Sequence, residues 1–179
     1  MKYVHHYDSP LGGITEASDG KALIGLWFDG QKYFADTLGV EFEEKFLPVF
    51  GETDRWLDVY FGGREPDFAP PPLRMEGTPF RRAVWEILRT IPYGQTVTYG
   101  EIADRIAGQP GFAPRRCAQA VGGAVGKNPI SVIVPCHRVI GADGSLTGYA
   151  GGIDKKLRLL ELERANLSRI YIPKRGTAL

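Results

Sequence analysis

Cysteine and histidine are scarce in this chain of 179 residues, which holds two of the first and three of the second. Cys117 and Cys136 cannot build a disulfide framework, and without CxxC spacing they do not form a zinc finger. His5 and His6 have no cysteine near them and are read as strand residues, so neither a metal nor a cofactor is expected. No apolar run approaches the length of about 20 residues that a membrane span needs. The start, Met1-Lys2-Tyr3-Val4-His5-His6, lacks the apolar core of a signal peptide. The expectation is a soluble, cytoplasmic, monomeric chain with no membrane partner. A reducing compartment suits a reactive thiol.

Charge of one sign is missing overall, because the net charge is only +1. The balance hides an asymmetry. Met1 to Glu76 carries 7 Lys/Arg against 14 Asp/Glu, and Gly77 to Leu179 carries 15 against 7. A basic half joined to an acidic half points to a polyanionic partner for the second half. An ordinary solvated surface with contacts between the halves is the competing explanation.

Lys2–Tyr7, Ile14–Ser18 and Ala22–Asp29 read as three strands of an antiparallel meander, bounded by turn signals such as Ser9-Pro10-Leu11-Gly12-Gly13. Thr53 is placed as the cap of a helix running to Phe61 and stopped by Gly62-Gly63, with Trp56, Leu57, Tyr60 and Phe61 as core. Pro66–Pro72 reads as a semi-rigid connector. It coincides with the change of charge sign and sets the domain division: 1–72, 73–165 and a polar, partly mobile tail, 166–179.

Beyond the connector, Thr78-Pro79 starts a helix with Phe80, Val84, Trp85 and Leu88 on one face. Thr98 and Glu101 form a capping box for a helix over Tyr99–Ile106. A third helix is expected from near Arg115 to about Val125, giving a helix-turn-helix outline. A last helix opens at Gly152-Ile153-Asp154 and runs through Glu163. The third helix is built of small residues, with Arg115 and Arg116 at its start. Small side chains permit close approach either to another helix or to a nucleic-acid groove. Cys117 is read as a small buried residue.

Pro135-Cys136-His137-Arg138 sets one of two cysteines beside one of three histidines, at the expected end of a strand through Ile130–Val134. A thiolate is the reactive form of cysteine, and a nearby imidazole or guanidinium favours it. Adjacent residues on an extended chain point to opposite faces, so contact between the two requires a tight turn.

Tyr93-Gly94-Gln95-Thr96-Val97-Thr98-Tyr99-Gly100-Glu101-Ile102-Ala103, Ala120-Val121-Gly122-Gly123-Ala124 with Asn128-Pro129, Pro135-Cys136-His137-Arg138-Val139 and Gly148-Tyr149-Ala150-Gly151-Gly152 occur in this order. Together they resemble the O6-alkylguanine-DNA alkyltransferases (methylated-DNA–protein-cysteine methyltransferases). The resemblance covers about Thr78 to Glu163. The N-terminal half is similar only in outline to the family's ribonuclease-H-like domain. The implied fold class is α+β: an N-terminal ribonuclease-H-like domain with an antiparallel sheet, then a mainly helical winged-helix or helix-turn-helix domain.

The resemblance implies direct-reversal repair of double-stranded DNA approached through the minor groove. The alkyl group of a flipped-out O6-alkylguanine, or of O4-alkylthymine, passes irreversibly to Cys136. His137 is implied as the base acting through a water, and Glu163 as the acid that orients it, the nucleophile–base–orienter logic of covalent catalysis. Tyr99, Val139, Tyr149, Ala150 and Ser131 are implied around the substrate base. Asn128 is implied as the hinge between recognition helix and active-site segment. Gln119, Arg115, Arg116, Ala120, Gly122 and Arg138 are grouped as DNA-binding, with Arg138 alternatively stabilising the active-site turn or the thiolate. Gln119 stands where the family commonly holds an inserted arginine; it fills the gap without adding charge. Two other readings remain open at this point: a multiple-turnover thiol hydrolase, and a non-enzymatic lesion-binding or regulatory DNA-binding protein.

Overall fold

The structure is a computed structural model and describes residues 1–112 and 117–174. It forms two compact units, Met1–Glu76 with Pro129–Ile133, and Gly77–Asn128 with Val134–Leu179.

In the first unit, β1 (Tyr3–Ser9), β2 (Gly12–Ser18) and β3 (Leu23–Phe28) form the expected meander. The sheet order is β3-β2-β1-β4, and the short β4 (Glu43–Glu44) adds a parallel edge to β1, so the sheet is not wholly antiparallel. Strand alternation gives the sheet two buried faces. Val4, Ala17, Ile24 and Trp27 cluster with Leu38 on one side. Helix α1 (Pro48–Phe61) packs on β1 and β2. It begins a turn and a half earlier than the sequence suggested. Thr53 is not its cap but a buried interior residue whose hydroxyl donates to the Val49 carbonyl, 2.7 Å away. Pro at the first position starts the helix instead.

The connector is also more than a spacer. Leu23 N–H donates to the Pro72 carbonyl and Arg74 N–H to the Leu23 carbonyl, which fastens the connector to β3. Along β3, Leu26 exchanges backbone hydrogen bonds with Pro129 and Ser131. The Ile130–Val134 run is therefore not a strand ending at the cysteine. It makes one bridge at Ile130, then turns, with Val132 in the left-handed region at φ 66°. The apolar run reflects burial, which periodicity alone cannot separate from strand structure.

In the second unit, α2 (Pro79–Leu88) is capped by Thr78, and α3 (Tyr99–Ala107) carries the full Thr98–Glu101 capping box. Helix α4 (Ala118–Gly126) packs against both, and Trp85 Nε1 donates to the Ala124 carbonyl at 2.8 Å. Its described start is Ala118; the expected start near Arg115 lies outside the described residues. Cys117 precedes the helix and is exposed, contrary to the buried position expected of it. Cys136–Arg138 form a 3-10 turn, and β5 (Val97–Thr98) pairs with β6 (Val139–Ile140) in parallel. Helix α5 (Ile153–Leu162) closes the unit, with Glu163 at its C-cap.

As far as Tyr171 the polar tail packs against the rest of the second unit. Ala165, Leu167 and Ile170 pack around Leu146 and Leu160. Leu146 N–H donates to the Tyr171 carbonyl and Tyr171 N–H to the Gly144 carbonyl. Gly144 permits this: its φ is 88°, and a Cβ there would sit 1.9 Å from the Arg169 carbonyl oxygen. Three apolar residues in a polar sequence suffice to anchor it.

Thr98→Ala removes the hydroxyl that accepts from Glu101 N–H at 3.1 Å. The expected loss is about 1 kcal/mol of unfolding free energy, read from urea denaturation.

Candidate active site

Cys136, His137 and Arg138 form a 3-10 turn directly after Pro135. The turn takes Cys136 and His137 out of extended geometry and buries both, at 5% and 0% exposure. Asn128 Nδ2 donates to the Val134 carbonyl at 2.8 Å and to Cys136 Sγ at 3.2 Å. One side chain at the end of α4 thus holds both the backbone leading into the turn and the thiol itself.

Glu163 lies at the centre of the polar network. Its Oε1 accepts from His137 Nε2 at 2.6 Å and from Arg138 NH2 at 2.8 Å. Its Oε2 accepts from Arg138 Nε at 2.9 Å and from Gly94 N–H at 3.1 Å. Burial alone would raise this carboxyl, but hydrogen bonds and charge from His137 and Arg138 outweigh it and hold it far below the usual carboxylate range. An ionised carboxylate only accepts, so His137 carries its proton on Nε2. Burial pushes the imidazole pKa down against the pull of Glu163. His137 is therefore neutral at neutral pH, and Nδ1 is the basic site of the ring.

Burial pushes the Cys136 thiol up, partly offset by the Asn128 hydrogen bond and the charge of Lys156. Lys156 is fully buried, and burial pulls its ammonium down to about 8 while Cys136 works in the other direction. Lys156 Nζ donates to the Thr147 carbonyl at 2.8 Å, the same oxygen that accepts the Tyr99 hydroxyl at 2.9 Å. Its ammonium lies 6.0 Å from the centroid of the Tyr99 ring. Burial raises the Tyr99 hydroxyl to about 12, so it remains a donor. Tyr149 and Val139 are buried and Ala150 is half-buried.

Helix α4 turns Val121, Ala124 and Val125 inward and leaves Gln119, Ala120 and Gly123 exposed, with Gly122 half-buried beside Tyr99. Among the described residues, a Cβ on Gly123 or Gly126 would meet nothing within 4 Å. Packing inside the protein therefore does not explain these glycines. The small outward surface does suit close approach by something else.

The family model for 6-O-methylguanine DNA methyltransferase, DNA binding domain, matches residues 79–165, and that for its ribonuclease-like domain matches 2–75. A curated methylated-DNA–protein-cysteine methyltransferase of Mycobacterium tuberculosis is 47% identical over 163 residues, covering 89% of this chain and 93% of its own. The chain belongs to the 6-O-methylguanine DNA methyltransferase family. A Haemophilus influenzae relative of the same name is 41% identical, covering 90% of this chain and 86% of its own. The solved O6-methylguanine methyltransferase of M. tuberculosis superposes with a TM-score of 0.76 at 44% identity, covering 98% of this chain and 97% of that one. An M. tuberculosis OGT solved in complex with DNA gives 0.78 at 42%, covering 94% of each.

Two residues of this family member stand apart from the sequence reading. Arg138, grouped there with the DNA contacts, is 8% exposed and turned inward. Besides Glu163, its NH1 donates to the Ile91 carbonyl at 2.6 Å. Its hydrogen bonds join the Cys136–Arg138 turn to Glu163 and Ile91. Lys156 was missed altogether. Its signal was the α5 stripe Lys156, Leu159, Leu160, Glu163, whose i, i+3, i+4, i+7 spacing puts the lysine on the buried face two turns before the acid. Ser131 belongs to the first unit, where its hydroxyl donates to Gln31 Oε1 at 3.4 Å. Arg115 and Arg116 lie outside the described residues. Among the described residues no group of His, Cys, Asp and Glu could hold a metal ion, and no helix is long and apolar enough to cross a membrane.

Glu163→Gln leaves the buried Arg138 guanidinium without its counter-charge. The expected cost is about 3–5 kcal/mol, seen as a large fall in melting temperature at pH 7. Because the folded carboxyl is depressed, its stabilisation is present above the unfolded carboxylate pKa and is lost as pH falls toward the folded value. The difference between wild type and variant should therefore shrink in acid.

Proposed function

We propose that the chain repairs DNA by direct reversal, moving the alkyl group of O6-alkylguanine onto Cys136 in one irreversible turnover. The observation that carries this reading is the buried Cys136 turn with neutral His137 hydrogen-bonded to ionised Glu163. It occurs in a chain 41% identical to one curated methylated-DNA–protein-cysteine methyltransferase and 47% identical to another.

The chemistry follows from the groups. The target atom is inside a stacked duplex, so the base is extruded before it reacts. Cys136 Sγ attacks the alkyl carbon, and the C–O bond breaks with its electron pair moving into the guanine. The thiol proton leaves through a water to Nδ1 of His137. The imidazolium so formed is held by Glu163, whose own charge is balanced by Arg138. Lys156 adds positive potential where the thiolate develops. The guanine recovers one proton and is restored, and the thioether remains on the protein. O4-alkylthymine undergoes the same displacement.

Tyr99, Tyr149, Val139 and Ala150 bound the pocket for the extruded base. Helix α4 enters the minor groove with its exposed small face, and Gln119 fills the gap left in the stack. The protein acts as a monomer. The basic half supports binding that depends on phosphate charge and weakens with salt.

Intact-protein mass after mixing with excess duplex carrying one O6-methylguanine tests the reaction. One methyl-for-hydrogen increment per chain is expected, with none for Cys136→Ala. An unchanged mass in wild type that still binds the lesion would sink the proposal.

The rate of that single turnover should be flat near neutral pH and drop in acid. Since burial lowers the His137 pKa, the acid limb should lie below the ordinary histidine range. A log-linear rise through alkaline pH instead, following thiol ionisation alone, would remove His137 as base.

Gly123→Leu should leave the melting temperature within a few degrees of wild type, because the position is open. It should weaken duplex binding at least several-fold in a fluorescence titration if α4 enters the groove.

A further inference from the structure

The first unit contains a buried acid that the repair chemistry does not use. Glu16 on β2 is 0% exposed and lies directly opposite His5 on β1, so the two share a face of the sheet. Helix α1 covers that face. From it, Asp54 reaches both groups: its Oδ2 lies 3.3 Å from His5 Nε2, and its carboxyl is a hydrogen-bonding neighbour of Glu16. One turn further along, Asp58 accepts the Tyr7 hydroxyl at 2.7 Å. The groups facing Glu16 are thus His5 and Tyr7 from β1 and Asp54 and Asp58 from α1. Leu26 faces it from β3.

As carboxylates, Glu16 Oε1, Glu16 Oε2 and Asp54 Oδ1 are buried without a donor among the described residues. An isolated buried carboxylate costs many kcal/mol, and such groups keep their proton instead. One proton between the two acids supplies a donor to the pair and removes one negative charge. We propose that Glu16 is a neutral carboxylic acid at physiological pH, and that its proton, shared with Asp54, is a pH-sensitive latch holding α1 against the sheet.

Burial, reinforced by the charge of Asp54, raises the Glu16 pKa from 4.5 to about 9, in the same direction. Burial raises Asp54 as well, and burial with the Asp58 bond raises Tyr7 above its ordinary range. The sign follows from linkage. A folded pKa above the unfolded value means that stability is fully present below about 4.5 and is lost as pH climbs to about 9. The latch therefore opens in alkali, and Glu16→Gln, which keeps a donor without a titrating proton, removes the loss.

The experiment is the carboxylic-acid C=O stretch by infrared spectroscopy on the full chain, followed from pH 6 to 10, beside melting temperature over the same range. Wild type should show a protonated-carboxyl band at pH 7 that disappears near pH 9 and is absent from Glu16→Gln. The melting temperature of Glu16→Gln should fall less steeply with pH than that of wild type. His5→Gln should retain the wild-type slope, because the latch is the shared acid proton. Wild type without a band at pH 7 overturns the proposal even if Glu16→Gln does not fold. Parallel melting curves for wild type and a folded Glu16→Gln, or a slope lost in His5→Gln, overturn it as well.

Discussion

The buried Glu163 carboxylate is the constraint on which the second unit depends. It stands where α5 ends, and four donors from two other parts of the chain converge on it: His137 and Arg138 (through two nitrogens) from the active-site turn, and the Gly94 amide. Arg138 continues to the Ile91 carbonyl after α2. A carboxylate with 3% exposure is tolerable only when its charge is balanced and its lone pairs are filled. Meeting those conditions fixes the active-site turn against α5 and the α2–α3 connection at once. The ion pair is thus geometry as much as stability. It sets the tautomer of His137, with the proton on Nε2 toward Glu163.

The cysteine has a separate anchor. Asn128 reaches from the end of α4 to both the Val134 carbonyl and Cys136 Sγ. The helix with the open glycine face and the thiol are therefore tied by one side chain, so the surface that suits a groove and the nucleophile hold a fixed geometry. Between Asn128 and Val134, the chain contributes Pro129–Ile133 to the first unit, through backbone bonds to Leu26.

Legibility in the sequence followed locality. The capping box of α3, the Thr78-Pro79 start of α2 and the three-strand meander are written in residues a few positions apart, and all three were readable. The start of α1 was not, because Thr53 has the chemistry of a cap and only tertiary burial shows that its hydroxyl is used inside the helix. The Ile130–Val134 run was misread as a strand because complete burial erases the alternation that distinguishes strand from buried loop. At the site, Cys136 and His137 were singled out through the ordered motifs and Glu163 by its place on the last helix, and the structure brings His137 and Glu163 together. The inward turn of Arg138 depends on Ile91 and Glu163, far away in sequence. Lys156 lay in plain view on the buried stripe of α5, but one lysine among apolar neighbours reads as a surface residue until the stripe is extended to Glu163. The acid pair in the first unit was invisible for the same reason: Glu16 and Asp54 are 38 positions apart in the sequence and meet only when α1 covers the sheet.

A buried thiol with a raised pKa is a poor nucleophile at rest, since reactive cysteines usually gain thiolate from positive surroundings. The arrangement is consistent with the proposed single turnover. A resting thiolate would be exposed to oxidants and to stray electrophiles for the lifetime of the chain, and each such event would waste it. Burial keeps Cys136 neutral, while the means of ionising it stand ready: a neutral imidazole, a carboxylate to receive its charge, the Asn128 amide at Sγ and the Lys156 ammonium. None of these groups has to be created when a base enters. In the proposed reaction the extruded base would supply the electrophile and exclude bulk water, which strengthens the action of fixed charges on the sulfur. The raised pKa therefore keeps the thiol protonated at rest, while the Asn128 amide and the Lys156 charge already offset part of that rise.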